Sequence, residues 1–166
     1  MKLIKPAVQL LVIAVIGFAL WRFLFPSPEK VIHGKIEALA KTVSENPQGN
    51  ISRVGNVSRI GGFFHPNVSI SLEGFGREVS SVQGRGDLEQ MAMGVRQNNF
   101  RIALQFSNIR IEVDPDGTKA TAFVAAEVTL NDQKEPVVQD IRLGFEKFDR
   151  AWLIRSAEPS KAFKIE

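Results

Sequence analysis

From Ala120 to Leu130 every second residue is apolar: Ala120, Ala122, Val124, Ala126, Val128 and Leu130. A period of two over that length requires a long strand with one buried face, and a strand of that kind needs partners of similar length. The flanking sequence supplies them. Ile102, Leu104 and Phe106 alternate; Ile109, Ile111 and Val113 then alternate in the opposite phase, so a bulge is expected near Ser107 and Asn108. Asp114-Pro115-Asp116-Gly117 forms a turn, and Asn131-Asp132 ends the long strand. Val137, Ile141, Leu143 and Phe145 share a face of the next strand, Asp149-Arg150 turns it, and Ala151 to Ala157 closes an antiparallel meander.

The earlier part of the chain reads in a different period. Ser27 can cap a helix whose first positions are Pro28 and Glu29, and Val31, Ile32, Ile36, Leu39, Ala40 and Val43 recur at helical spacing before Asn46-Pro47 stops it. A second helix is expected from Ile51 to Ile60, with Ile51, Val54, Val57 and Ile60 on its buried side, ended by Gly61-Gly62. Val68, Ile70 and Leu72 form a half-buried strand, and the glycine-punctuated stretch from Gly74 to Gly86 an irregular pair. Asp87 is placed as the cap of a third helix that buries Leu88, Met91, Ala92 and Val95. Helices gathered early and long strands gathered late define an α+β domain with a strongly curved sheet.

Ahead of this domain, Ala7 to Leu20 holds a single polar side chain, Gln9, and the apolar run continues to Phe25. As a helix it is about 28 Å long, near the thickness of a bilayer's hydrocarbon core. Trp21 and Arg22 suit the interfacial layer at its end. Lys2 and Lys5 precede the run, which sets the N-terminus in the cytoplasm and residues 26 to 166 on the far side. A cleaved signal peptide is the rival reading; the exit LWRFLFPSPEK, bulky and proline-containing, lacks the small residues that cleavage needs. The expected organisation is therefore a tip and transmembrane anchor over residues 1–25 and one domain over 26–166.

Charge follows the same division. The formal net charge is +3, yet all 18 acidic residues lie at or after Glu29, where they meet as many Lys and Arg; the excess is Lys2, Lys5 and Arg22. Basicity confined to the tip speaks of membrane orientation, and nucleic acid is not an expected partner. With no cysteine, disulfides, thiolate metal sites and a cysteine nucleophile are excluded. The spacing of the glycines between Gly74 and Gly86 is not that of a phosphate-binding loop. No cofactor and no metal site is expected.

The order of these elements, with GFFHPNVSI after the second helix, GRGDLEQMAMGV leading into the third, SNIRIEVDPDGTKATAFVAAEV across a hairpin and RLGFEKFDRAWLIRSAE at the end, resembles the nuclear transport factor 2-like superfamily, which includes the SnoaL-like domains. The resemblance runs from about Pro28 to Glu158. It implies a cone: a curved antiparallel sheet wrapped around about three N-terminal helices, with an open mouth, here preceded by one transmembrane helix. Relatives use such cones for isomerisation, dehydration, cyclisation, ligand binding or dimerisation.

The resemblance also supplies a test for chemistry. Isomerases of this kind pair a carboxylate base with a tyrosine-containing oxyanion hole, and dehydratases use tyrosines with paired histidines. This chain has no tyrosine and two histidines, His33 and His65. His65, beside Phe63 and Phe64 at the expected mouth, is the single weak catalytic candidate. Phe63, Phe64, Arg101 and Gln105 are the candidates for lining a ligand pocket. Phe123, Glu127, Asp140 and Arg142 fall on the opposite face of the sheet and are candidates for a protein interface, with Phe123 as anchor.

Two functions are weighed. The first is a non-catalytic interaction or assembly subunit of a membrane complex, anchored in the cytoplasmic (inner) membrane of a bacterium with its domain in the periplasm. This arrangement resembles that of the periplasmic assembly factors of type IV secretion systems, and its partner would be another protein or a second copy of the chain. The alternative is a tethered binder of a small lipophilic ligand, or a SnoaL-like enzyme, using the cone. A cone filled by Phe63 and Phe64 favours the first, and polar groups converging on His65 favour catalysis.

Overall fold

The structure is a computed structural model, and it describes residues 26–72, 80–131 and 135–160. Among these residues no helix is long and apolar enough to cross a membrane. The expected span at 7–25, with Trp21 and Arg22, lies outside the described residues.

Helix α1 (Pro28–Ser44) begins as its sequence requires: Pro28 stands at the first position and the Ser27 hydroxyl accepts from the Lys30 amide at 3.4 Å. Helix α2 (Asn50–Gly61) follows, then strand β1 (Phe64–Leu72), the short β2 (Ser80–Gln83) and helix α3 (Arg85–Gln97). Four strands follow among the described residues: β3 (Ile102–Val113), β4 (Lys119–Leu130), β5 (Val137–Phe148) and β6 (Ala151–Pro159). The fold is α+β, with the three helices against one six-stranded sheet in the order β2-β1-β6-β5-β4-β3.

The sheet is mixed, where an antiparallel one was expected. Strand β1 pairs with β6 in parallel, through Phe64 with Ile154 and Ile70 with Ala157. A parallel neighbour needs a long crossover, and here everything from β2 to β5 lies between the two strands. Curvature has visible causes. The ladders shift register between Phe64 and Ser69, between Ser107 and Arg110, and between Gly144 and Phe145, each shift an irregularity that bends its strand. The second is the bulge expected near Ser107-Asn108, and Asn108 takes φ +52° there. The bent sheet wraps a core led by Ile32, Ile36, Val68, Ala122 and Ile154.

The start of α2's buried face and the cap of α3 differ from expectation, while Leu88, Met91, Ala92 and Val95 of α3 face inward as expected. In α2, Ile51 is 91% exposed and Val54 56% exposed, while Asn56, Val57, Ile60 and Gly61 are buried. The buried residues of α2 all lie in its C-terminal half, and its N-terminal half reaches a neighbour through the polar contact of Arg53 with Asn99, so the apolar period runs past the buried contact. In α3 the cap is Gly84, held at φ +90° with its N–H donating to the Val68 carbonyl at 2.7 Å; Asp87 lies in the first turn. At that φ an L side chain is strained, so the backbone conformation rather than a side-chain cap starts the helix. Leu88 and Arg96 are buried on α3 and Met91 is 43% exposed.

Candidate functional site

Strand β4 points Ala120, Ala122 and Ala126 to the concave side of the sheet; the first two are packed in the core, and at Ala126 a methyl group leaves room that a larger side chain would occupy. The helices do not fill it. A cavity of about 310 Å³ remains between the sheet and the helices, at the lower end of the range for small-molecule sites. Its walls come from every layer: Leu39 and Val43 of α1, Ile60 of α2, Met91 and Val95 of α3, Leu104 and Phe106 of β3, Val128 of β4, and Ile141 and Leu143 of β5. Among the described residues two lining side chains, Arg96 and Gln139, are polar. Among the described residues the wall carries no carboxylate, imidazole or hydroxyl, and no cluster of His, Asp and Glu could hold a metal ion.

Arg96 is 4% exposed and ties the helices together beside the cavity. Its Nε donates to Asn56 Oδ1 at 3.0 Å and its Nη2 to the Val43 carbonyl at 2.6 Å. Asn56, fully buried, donates in turn to the Thr42 carbonyl at 2.9 Å and to a carboxylate oxygen of Glu45 at 3.1 Å. Arg59 closes the network through its two terminal guanidinium nitrogens on Glu45, a contact that holds the Glu45 carboxyl below its ordinary pKa. Burial lowers the pKa of Arg96 and the more distant Glu45 charge opposes that shift. One atom is left over: Arg96 Nη1 is buried and has no hydrogen-bond partner among the described residues.

His65 is buried in β1, outside the cavity wall. Its Nδ1 accepts from the Asn67 amide at 3.0 Å, and its ring meets Phe148 edge-on with centroids 4.8 Å apart. Being adjacent to Phe64, it takes the opposite phase of the strand, and Phe64 is the one that lines the cavity. Phe63 is half-buried and outside the wall, with the Lys35 ammonium 5.9 Å from its ring centroid; burial lowers the pKa of that ammonium. Arg101 and Gln105 are exposed and also outside the wall, because Ile102, Leu104 and Phe106 take the inward phase of β3.

The interface candidates share the outer side. Phe123 is half-buried beneath the Arg110 guanidinium, 4.7 Å from the ring centroid, and with Asp140, Asn108 and Ser160 it borders an outer groove of about 490 Å³. Glu127 is exposed and stands opposite Gln105 on β3 and Val138 on β5. Arg142 pairs across the strands with Glu158 at 2.8 Å. The sequence reading missed Arg96, Asn56 and Gln139. For Arg96 a signal exists: it stands four residues after Ala92 and eight after Leu88, on the face that those residues bury.

No family model and no curated protein matches the chain in sequence. Solved structures do resemble it. An NTF2-like protein of unknown function from Pseudomonas putida superposes with a TM-score of 0.58 over 83% of this chain and 89% of that one, at 14% identity. Aln2 from a Streptomyces species gives 0.59 over 80% and 91%, at 16% identity. A candidate scytalone dehydratase from Novosphingobium aromaticivorans gives 0.57 over 81% and 83%, at 14% identity. At such identities the likeness speaks of the fold, and the helix order, the bent six-stranded sheet and the hollow beneath it agree with it: the domain has the nuclear transport factor 2-like, SnoaL-like fold.

Proposed function

We propose that this domain is a non-catalytic binder of a small lipophilic molecule, held in its cone. The observation that carries the reading is the apolar cavity of about 310 Å³. The cone is neither packed by Phe63 and Phe64, as an interaction-only subunit was expected to have it, nor lined by polar groups around His65, as catalysis needs. With no acid, base or nucleophile on its wall among the described residues, the cavity offers shape and apolar contact. A lipophilic cargo also gives a reason for the sequence's apolar run at 7–25: a tether keeps the domain where such molecules concentrate. In this reading residues 26–166 lie outside the cytoplasm, and protease added to spheroplasts digests them.

The test is a titration of the full chain in lipid nanodiscs with 2-isopropylnaphthalene, its free concentration set by equilibrium dialysis. Methyl resonances of Leu104, Ile141 and Leu143 report occupancy. They are expected to shift saturably in the native chain and to stay unmoved in Ala126→Phe, whose ring takes up the cavity; no saturable shift in the native chain refutes the reading. A second reading, the interaction subunit, draws on the outer groove beside Phe123. It predicts a partner recovered from mild detergent with the native chain and lost with Phe123→Asp.

A further inference from the structure

The wall of the cavity is graded along the strands that form it. On β5 the inward phase runs from Val137, 41% exposed, through the half-buried Gln139 and Ile141 to Leu143 and Phe145, both buried. Strand β4 repeats the order beside it: Val128, opposite Val137, is half-buried, and Ala122, opposite Leu143, is fully buried. Met91 of α3 is the exposed member of the wall among the described residues. The hollow therefore has a mouth, at Met91 and Val128, and a blind end, at Leu143, Ile154 and Phe64. Polarity is absent from one end to the other. Arg96 contributes the carbons of its stem, since its Nε and Nη2 bind Asn56 and the Val43 carbonyl and its Nη1 is buried. With Gln139 included, the wall presents scarcely any polar surface, so a hydroxyl, amide or carboxylate placed against it would lose its water and gain no partner.

We propose that the cavity takes single-headed amphiphiles tail-first: molecules whose polar groups are gathered at one end, with the apolar end against Leu143 and Ile154 and the polar end left in water beside Met91. This rests on the ligand-binding reading and adds the class of the ligand and its direction. Most small-molecule sites fix orientation with a few placed polar groups. Here the wall has none to offer, and orientation follows from which end of the hollow is open to water. Recognition is then by the apolar body alone. A head of any type keeps its hydration at the mouth, whereas a second polar group at the far end excludes a molecule of the same composition.

Two isomers test this. 2,3-Dihydroxynaphthalene carries both hydroxyls at one end, and 2,6-dihydroxynaphthalene carries them at opposite ends, so that one of its hydroxyls must enter the blind end. Both are titrated into the full chain under the dialysis and methyl-resonance conditions above, and each affinity is referred to that isomer's own partition between water and octanol. The 2,3-isomer is expected to bind at least about tenfold more tightly, the penalty of one buried hydroxyl without a partner. Nuclear Overhauser contacts should join its two ring protons farthest from the hydroxyls to the methyls of Leu143 and Ile154, and the two next to the hydroxyls to those of Val128 and Met91. A smaller preference overturns the proposal, and so do Overhauser contacts in the opposite sense. Failure of the 2,3-isomer to bind where 2-isopropylnaphthalene binds overturns it as well. Failure of 2-isopropylnaphthalene itself to bind would instead remove the ligand-binding reading beneath it.

Discussion

Arg96 and Asn56, on different helices and 40 residues apart, are joined by a hydrogen bond of 3.0 Å from Nε to Oδ1 in the interior of the domain. The bond links α3 to α2, and through the Thr42 and Val43 carbonyls both residues reach the end of α1. Three helices that sit over a hollow have less apolar contact to hold them than helices over a filled core. The polar network substitutes directional bonds for that missing contact, and its members are satisfied apart from Nη1.

Asn56→Leu keeps the branched outline of the side chain but removes both polar atoms, taking away the acceptor of Arg96 Nε and a donor to the Thr42 carbonyl. The expected cost is about 3 kcal/mol, read from urea unfolding. Combining it with Arg96→Met should cost clearly less than the two single changes added together, because the double variant no longer strands a buried donor. Additive costs would mean that the two side chains act independently.

Acid should loosen the same junction. Arg59 and Asn56 hold the Glu45 carboxyl below its ordinary pKa, so on acidification the unfolded chain takes up a proton at this residue before the folded one does. The contribution of Glu45 is therefore complete above the unfolded value of about 4.3 and is lost as pH falls through the lower folded value. Asp116, whose pKa is lowered by bonds from Thr118, weakens in the same window, so the native chain alone cannot separate the two. The difference between native and Glu45→Gln urea midpoints isolates Glu45: it should be constant from pH 7 to 5 and shrink below about pH 4.5. A difference that stays flat to pH 3 would detach Glu45 from the junction.

What could be read from residues alone follows from how local each signal is. The strands were legible because alternation from Ile102 to Ala157 is repeated in four neighbours, and the bulge near Ser107 announced itself as a change of phase. Ser27 and Pro28 marked the start of α1 by short-range chemistry. The inward face of α3, with Leu88, Met91, Ala92 and Val95, was legible, and that of α2 only in its second half. Period shows which side of a helix is apolar, whereas Ile51 is exposed because the neighbours stop short of it. The parallel pairing of β1 with β6 joins segments far apart in sequence, which no local pattern encodes. The cavity was hidden for a related reason: Ala126 on β4 reads as part of a buried face, and only the assembled domain shows that the space above it is unfilled.

His65 offers a control on the site assignment. His65→Ala removes an edge contact with Phe148 and the acceptor for the Asn67 amide, which should cost about 1–2 kcal/mol in thermal or urea unfolding. Because the side chain is off the cavity wall, affinity for 2-isopropylnaphthalene should stay within about threefold. A loss beyond about 100-fold with folding intact would return His65 to the site.

The last prediction concerns the two sides of the sheet. Ala122 and Phe123 are successive residues of β4, and their partners across β5 are Leu143 and Arg142. Alternation sends Ala122 and Leu143 into the core and leaves Phe123 under Arg110 on the outer side. Phe123→Asp therefore exchanges a ring contact with a guanidinium for a surface ion pair with it, two interactions of similar modest strength, and should change stability by no more than about 1 kcal/mol. Leu143→Asp places a carboxylate where its neighbours are Ala122, Phe145 and the cavity, and should cost more than about 4 kcal/mol or unfold the domain. Circular dichroism during thermal unfolding separates the outcomes. Equal damage from both would mean that Phe123 is packed against something heavier than Arg110, and the outer side of the sheet would then have to be redrawn.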